Sequence, residues 1–174
     1  EIDLTTFKEI RKIKVGLNPH HCQVDHYGQI WVTSRGNYND VPSRIYHLYK
    51  GRNQLYEVID SINTPVSGLS IVGDSLYYYG TAWNNATATN NISYGLINVR
   101  THKIIDTNLF SAPQLKAITM PYGIIVNPTN RDFYLMDAKN YVSSGSLLHF
   151  KSDGTFDWSV QTGDIPGHAT FVYK

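Results

Sequence analysis

A four-strand pattern that returns three times along the chain constrains the fold more than any other feature. Pro19, Pro65, Pro121 and Pro166 each precede an apolar stretch, at intervals of 46, 56 and 45 residues. Behind the first three comes one order of parts: inner strand, short turn, strand, long loop, strand, short turn, strand. The clearest copy spans 120–166. Its 122–127 is apolar and 128–131 turns. Residues 132–137 alternate around Phe133 and Leu135, 138–145 is a polar loop, and 146–150 is apolar again. A turn at 151–154 leads into 155–161, with Phe156, Trp158 and Val160 at period two. Alternation bounded by Gly, Pro, Asn and Asp is the mark of antiparallel strands. The copy at 17–62 has its inner strand at 22–25, a turn at 26–28, strand 29–33, loop 34–43, and strands 44–49 and 54–62. The copy at 63–110 has 67–72, a Gly73-Asp74 turn, 76–80, a polar loop at 81–93, and strands 94–99 and 103–109. Residues 110–119 are a longer connection with no element assigned.

A period of roughly 40–50 residues holding four short strands indicates a β-propeller. The expected fold is all-β: a β-propeller of about three complete four-stranded blades at 17–62, 63–110 and 120–166. Residues 1–16 are expected to be an outer strand of the preceding blade, and 167–174 a closing inner strand. The competing architecture is a β-sandwich without repeats. Three blades do not close a ring of about 4–8. The open blade faces are therefore expected to be covered by a missing N-terminal half or by a second copy of the chain.

Composition agrees with strands. Aromatic residues are 13% of the 174, with 13 tyrosines, and such residues favour sheets. A net charge of +1 gives no basic stripe, so nucleic acid is not an expected partner. No apolar run approaches the ~18 residues of a membrane-spanning helix. The single cysteine, Cys22, excludes an internal disulfide, and its inner-strand position suggests the core. There is no H-E-x-x-H, C-x-x-C, phosphate-binding loop or G-x-S-x-G. Asp25, Asp132, Asp137 and Asp153 sit at strand ends, where a carboxylate closes turns. No catalytic residue, metal or cofactor is expected, and the chain reads as a binding protein.

Strand order places the short turns at one end of every blade. The long loops and proline-led segments lie at the other, and long loops on a rigid scaffold carry function. The candidate ligand-binding residues are those of that end: His20, His21, Arg35, Asn37, Tyr38, Trp83, Asn84, Asn85, Tyr122, Lys139, Asn140, Tyr141 and His168, with Asn39 and Ser67 beside them. Aromatic platforms with amide and guanidinium donors suit a polar organic ligand. Adjacent residues of an extended strand point to opposite sides, so His20 and His21 are not expected to chelate as a pair. Asn85-Ala86-Thr87 and Asn91-Ile92-Ser93 match N-glycosylation triplets, which arise easily in an Asn/Thr-rich loop.

PYGIIVNPTNRDFYLMDAKNYVSSGSLLHFKSDGTFDWSVQTGDIPGHATF resembles the C-terminal blade and closing strand of the surface-layer, YncE-like propeller proteins of gut Bacteroidetes. IDLTTFKEIRKI followed by VGLNPHHCQVDHYGQIWVTSRGNY resembles an inner blade of the same family. The resemblance implies a seven-bladed propeller exported as a lipoprotein to the outer membrane and cell surface, or to the periplasm, with its anchor outside this chain. It implies a TonB-dependent transporter as partner and a polar nutrient as ligand, with cobalamin or a related corrinoid leading. A glycan-binding or protein-interaction propeller is the alternative. Asp60-Ser61-Ile62 and Asp74-Ser75-Leu76 fit the O-glycosylation pattern of that bacterial group, and equally a strand end and a hairpin turn.

Overall fold

In a computed structural model, residues 1–84, 86–105 and 107–172 are described. The chain is all-β, built from three four-stranded antiparallel sheets that follow one another in sequence. The first holds β1 (Pro19–Val24), β2 (Ile30–Ser34), β3 (Arg44–Lys50) and β4 (Tyr56–Asn63). The second holds β5 (Gly68–Val72), β6 (Ser75–Asn84), β7 (Thr89–Asn98) and β8 (Lys103–Ile105). The third holds β9 (Pro121–Val126), β10 (Phe133–Asp137), β11 (Ser146–Phe150) and β12 (Phe156–Gln161). Each sheet is a meander in chain order, shaped like a propeller blade. β5 packs between β1 and β9, so the three inner strands stand side by side. Among the described residues the sheets do not close into a ring.

Strand alternation builds the core. Along β6, Leu76 and Tyr78 face the first sheet and join Trp31, Ile45, Val66, Leu69, Ile97 and Val99. Tyr77 faces the other way and joins Val126, Phe133, Leu135, Leu148 and Phe150 of the third sheet. Phe133 and Phe150 are cross-strand partners stacked with centroids 5.0 Å apart. Such aromatic pairs add about 0.5–1.5 kcal/mol beyond the area they bury.

The short turns are specified locally. Asp25 accepts hydrogen bonds from the Tyr27 and Gln29 amides, each at 2.9 Å, and its second oxygen accepts from buried Trp31 Nε1 at 2.8 Å. Gly73 takes φ +57° in the two-residue turn joining Val72 to Ser75. A glycine first in that turn matches the twist of the flanking strands. The inner turns also bond to one another. The Tyr27 hydroxyl donates to Asp74 at 2.9 Å, and the Arg131 guanidinium donates to the Val72 carbonyl. One end of the blades is thus a belt of short turns, as the strand order requires.

Several expectations need correction. Residues 81–93 are not a loop. β6 and β7 run on as a ribbon in which Thr81 faces Ile92 and Asn84 faces Thr89. Among the described residues the outer strand of the second sheet is Lys103–Ile105, and Asn108 and Leu109 of the expected 103–109 strand lie in a 3₁₀ turn instead. The connection after it makes 3₁₀ turns at Asn108–Phe110 and Pro113–Ala117 and buries Leu109, Leu115 and Ile118 against the third sheet.

Residues 1–16 do not form an outer strand; their one bridge is local to the segment. They turn back on themselves at one bridge, Ile2 to Glu9, and lie along the outward face of the first sheet. There Arg11 donates to the Tyr56 carbonyl and Gly16 sits on the Tyr46 ring. Residues 167–172 likewise form no strand. They lie against β9, with Gly167 beside Gly123 and Phe171 against Tyr134 at 5.5 Å. Residues 173 and 174 of the expected closing strand fall outside the described residues. Cys22 is exposed, not core. It pairs with Val32 on the face of β1 turned away from the second sheet. Val24 on that face is 59% exposed, and Trp158 and Val160 of β12 are 41% and 51% exposed.

Candidate functional site

The end opposite the short turns gathers several of the candidate side chains, and a backbone irregularity starts the gathering. Between Pro19 and Cys22, β1 advances three residues while β2 advances two, from Ser34 to Val32. That is a β-bulge, which re-aims side chains near a strand end. His20 and His21 occupy it. Their rings, expected on opposite sides, meet edge to face with centroids 4.4 Å apart and Nδ1 atoms 2.8 Å apart. His21 Nδ1 also lies 3.1 Å from the Ser67 carbonyl, and its amide donates to Thr33 Oγ1 at 2.9 Å. Arg35, one residue past β2, places Nη2 3.4 Å from His20 Nδ1. His168 brings its ring to 5.7 Å from His21.

The protons of this cluster can be assigned. A carbonyl only accepts, so His21 Nδ1 carries a hydrogen and donates to Ser67. His20 Nδ1 then faces that N–H and the Arg35 guanidinium, so it is the bare nitrogen and its proton is on Nε2. Both imidazoles titrate below the ordinary histidine value. Burial is the main cause for each, with Arg35 and His21 adding for His20, and His168 and Arg35 for His21.

Two hollows adjoin the cluster. A cavity of about 90 Å³ lies on the axial side, lined by His21, Gln23, Leu69, Tyr79, Ile124 and His168 among others. Tyr79 is 1% exposed, its hydroxyl has no partner, and burial raises its pKa. Its ring lies across Gly68, where a Cβ would sit 2.5 Å from Cε1. A groove of about 280 Å³ runs outward between the first and second sheets, lined by Arg35, Tyr38, Pro42, Pro65, Thr81 and Trp83 among others. Arg35 therefore borders both the cluster and the groove.

The loop that carries Arg35 is shaped by Gly36 and Asn37. Gly36 has φ +68°, and a Cβ there would lie 2.0 Å from the Val41 carbonyl oxygen. Asn37 turns its amide inward. Its oxygen accepts from the Asn39 and Val41 amides at 3.1 and 2.8 Å, and its nitrogen donates to Asp40. Asn84 and Asn140 have the same turn-closing role, accepting from Ala86 and from Val142 and Ser143. The third loop is pinned by buried Asp137, which accepts from the amides of Met120 and Lys139 at 2.9 and 3.0 Å. It presents Tyr141 edge-on to Tyr122 at 5.6 Å.

Of the sequence-derived candidates, His20, His21, Arg35 and His168 therefore form one cluster. Tyr38 and Trp83 line the adjoining groove, and Tyr122 and Tyr141 form an aromatic pair. Asn37, Asn84 and Asn140 hold their own turns, and Lys139 stands on the third loop with φ +53°. Asn85 lies outside the described residues. Tyr79 and Thr81 were missed. The run Tyr77-Tyr78-Tyr79 falls inside the strand expected at 76–80, away from the candidate loops, and Thr81 falls in the loop expected at 81–93 rather than on β6. Among the described residues, no three His, Cys, Asp or Glu side chains are placed to hold a metal ion. No protein-family model matches the chain, and no curated protein is significantly similar to it.

Proposed function

We propose that this chain is part of a larger β-propeller whose long-loop end binds a polar organic ligand without transforming it. The observation that carries the reading is the convergence of His20, His21, Arg35 and His168 beside a groove edged by exposed Tyr38 and Trp83. Those side chains come from separate segments, and the blades fix their positions. Ring, guanidinium and amide groups around a concave surface recognise a flat or ring-shaped polar molecule. The residues that order the loops, Gly36, Asn37 and Asp137, are internally satisfied and hold the surface in shape before a ligand arrives.

The ligand we favour is a corrinoid of the cobalamin type, captured at the outer surface of a bacterium and passed to a TonB-dependent transporter. The complete ring would be seven-bladed. Its remaining blades, or a second copy of this chain, would cover the apolar side chains now open on the first and third sheets, Val24 and Trp158 among them. A glycan is the second reading, and Trp83 favours it. At 54% exposed on the groove edge, it offers a face on which a sugar ring can stack.

Calorimetry with cyanocobalamin and with a glycan panel tests the reading, with Trp83→Ala as the matched variant. Saturable heat from one ligand class, lost in the variant, is the expected result. No heat from cyanocobalamin together with heat from a glycan would replace the corrinoid by the sugar. No heat from either would overturn the binding function.

A further inference from the structure

We propose that the ligand carries an anionic group, a carboxylate or a phosphate, which seats against Arg35, His20 and His168 at the mouth of the axial cavity. The proposal rests on the reading of this end as a ligand-binding surface and specifies the chemistry that it takes.

Arg35 is the first ground. Its guanidinium has no carboxylate partner among the described residues. Its one hydrogen bond is the 3.4 Å approach of Nη2 to His20, and its Nε is buried with no acceptor at all. A guanidinium offers five donors in a planar fork that matches a carboxylate or a phosphate. Burying part of that fork unpaired is unfavourable unless an acceptor joins it.

The neighbours add donors and remove acceptors. His20 Nδ1 receives hydrogen bonds from within the cluster, so its Nε2–H is left free to donate outward. Buried Tyr79 has an unpartnered hydroxyl and lines the cavity that His21 and His168 share. Two carboxylates of the adjoining loops already accept hydrogen bonds within their own loops. Asp40 is held by Asn37, and Asp137 binds the amides of Met120 and Lys139. The unpaired donors of Arg35 and the His20 Nε2–H have no anionic acceptor among the described residues, the bare Nε2 of His21 being a neutral one, and an anion supplies what is missing. The cavity of about 90 Å³ admits only a small group. The ligand's body would continue along the groove of about 280 Å³ toward Trp83.

The test is an NMR titration of the chain with inorganic phosphate and, separately, with acetate, at pH 7.5 and constant ionic strength. Saturable shifts of Arg35 Nε–H and of the His20 and His168 ring resonances are expected from at least one anion. The anion that binds more tightly identifies the class. Affinity should fall at least tenfold in Arg35→Gln and several-fold in His168→Gln, and should hold in Arg52→Gln, an exposed turn position remote from the cluster. Unsaturable shifts from both anions would overturn the proposal. So would saturation that survives Arg35→Gln unchanged. Should Arg35→Gln fail to fold, His168→Gln on the exposed tail decides instead, with undiminished binding counting against the site. A neutral sugar, glucose, followed by the tryptophan fluorescence that the wild type has and Trp83→Phe lacks, separates the two claims. Quenching by a neutral ligand without anion binding refutes the anionic group and leaves the binding face standing. Anion binding with no such quenching supports the anion site and removes the neutral ligand.

Discussion

Acidification should unfold this chain earlier than its carboxylates alone require, because His47 is buried neutral. Its ring is 1% exposed and stacks on Trp31 with centroids 4.3 Å apart. His102 meets it edge-on at 4.2 Å. A carbonyl oxygen on Gln29 takes its Nε2–H, and Nδ1 has no partner. Burial, reinforced by His102, pushes its pKa from 6.5 down to about 4, against the opposing pull of Asp25 and Asp60. The folded value lies below the unfolded one, so the unfolded chain binds the extra proton. Stability from this group is complete above pH 6.5. It declines as pH falls toward 4, and the decline flattens below that. At about 1.36 kcal/mol per unit, the loss across this window is at most about 3 kcal/mol. Urea denaturation from pH 8 to pH 4 measures it, and His47→Phe isolates it. Phenylalanine keeps the stack on Trp31 but cannot titrate, and other groups, including His20 and His21, are common to both proteins. The wild type should lose stability more steeply than the variant between pH 6.5 and 4. Parallel curves would refute the reasoning.

Other outcomes follow from single contacts. Asp25→Asn turns an amide N–H₂ toward buried Trp31 Nε1–H, and should cost about 1–3 kcal/mol by thermal unfolding. Gly36→Ala sets a Cβ against the Val41 carbonyl at a φ of +68°. It should destabilise by about 1–3 kcal/mol and shift the amide resonances of residues 35–43. Cys22 should react with a thiol reagent in the folded state, slowed by the raised thiol pKa that partial burial causes. A requirement for denaturant would contradict its exposure.

The sheets were legible in the sequence where apolar residues recur at period two. Phe133 and Leu135 stand two apart on β10 and point together into the core shared with Tyr77 of the second sheet, while half-buried Tyr134 and buried Met136 turn the other way. The same logic hid the ribbon at 81–93. Both of its faces are largely solvated, so Thr, Asn and Ser occupy strand positions with no apolar period to reveal them. The 3₁₀ turns at 108–117 are too short for any helical stripe. Cys22 is exposed because it points away from the second sheet, and among the described residues no other sheet packs on that face of β1. That the longer connections share one end was legible from strand order, but the meeting of side chains there was not. His20 and His21 converge through a bulge of one residue, which no alternation pattern encodes. Arg35 matters for partners it lacks, which only a folded arrangement can show.

The most direct test of ligand capture at the long-loop end is a chemical-shift map of the chain titrated with cyanocobalamin and with glycans. The account predicts saturable perturbations confined to His20, His21, residues 35–43, Trp83, Tyr122, residues 138–145 and His168. Perturbations centred on the short-turn belt, at His26, Gly73 and Arg131, or none with either class of ligand, would contradict it.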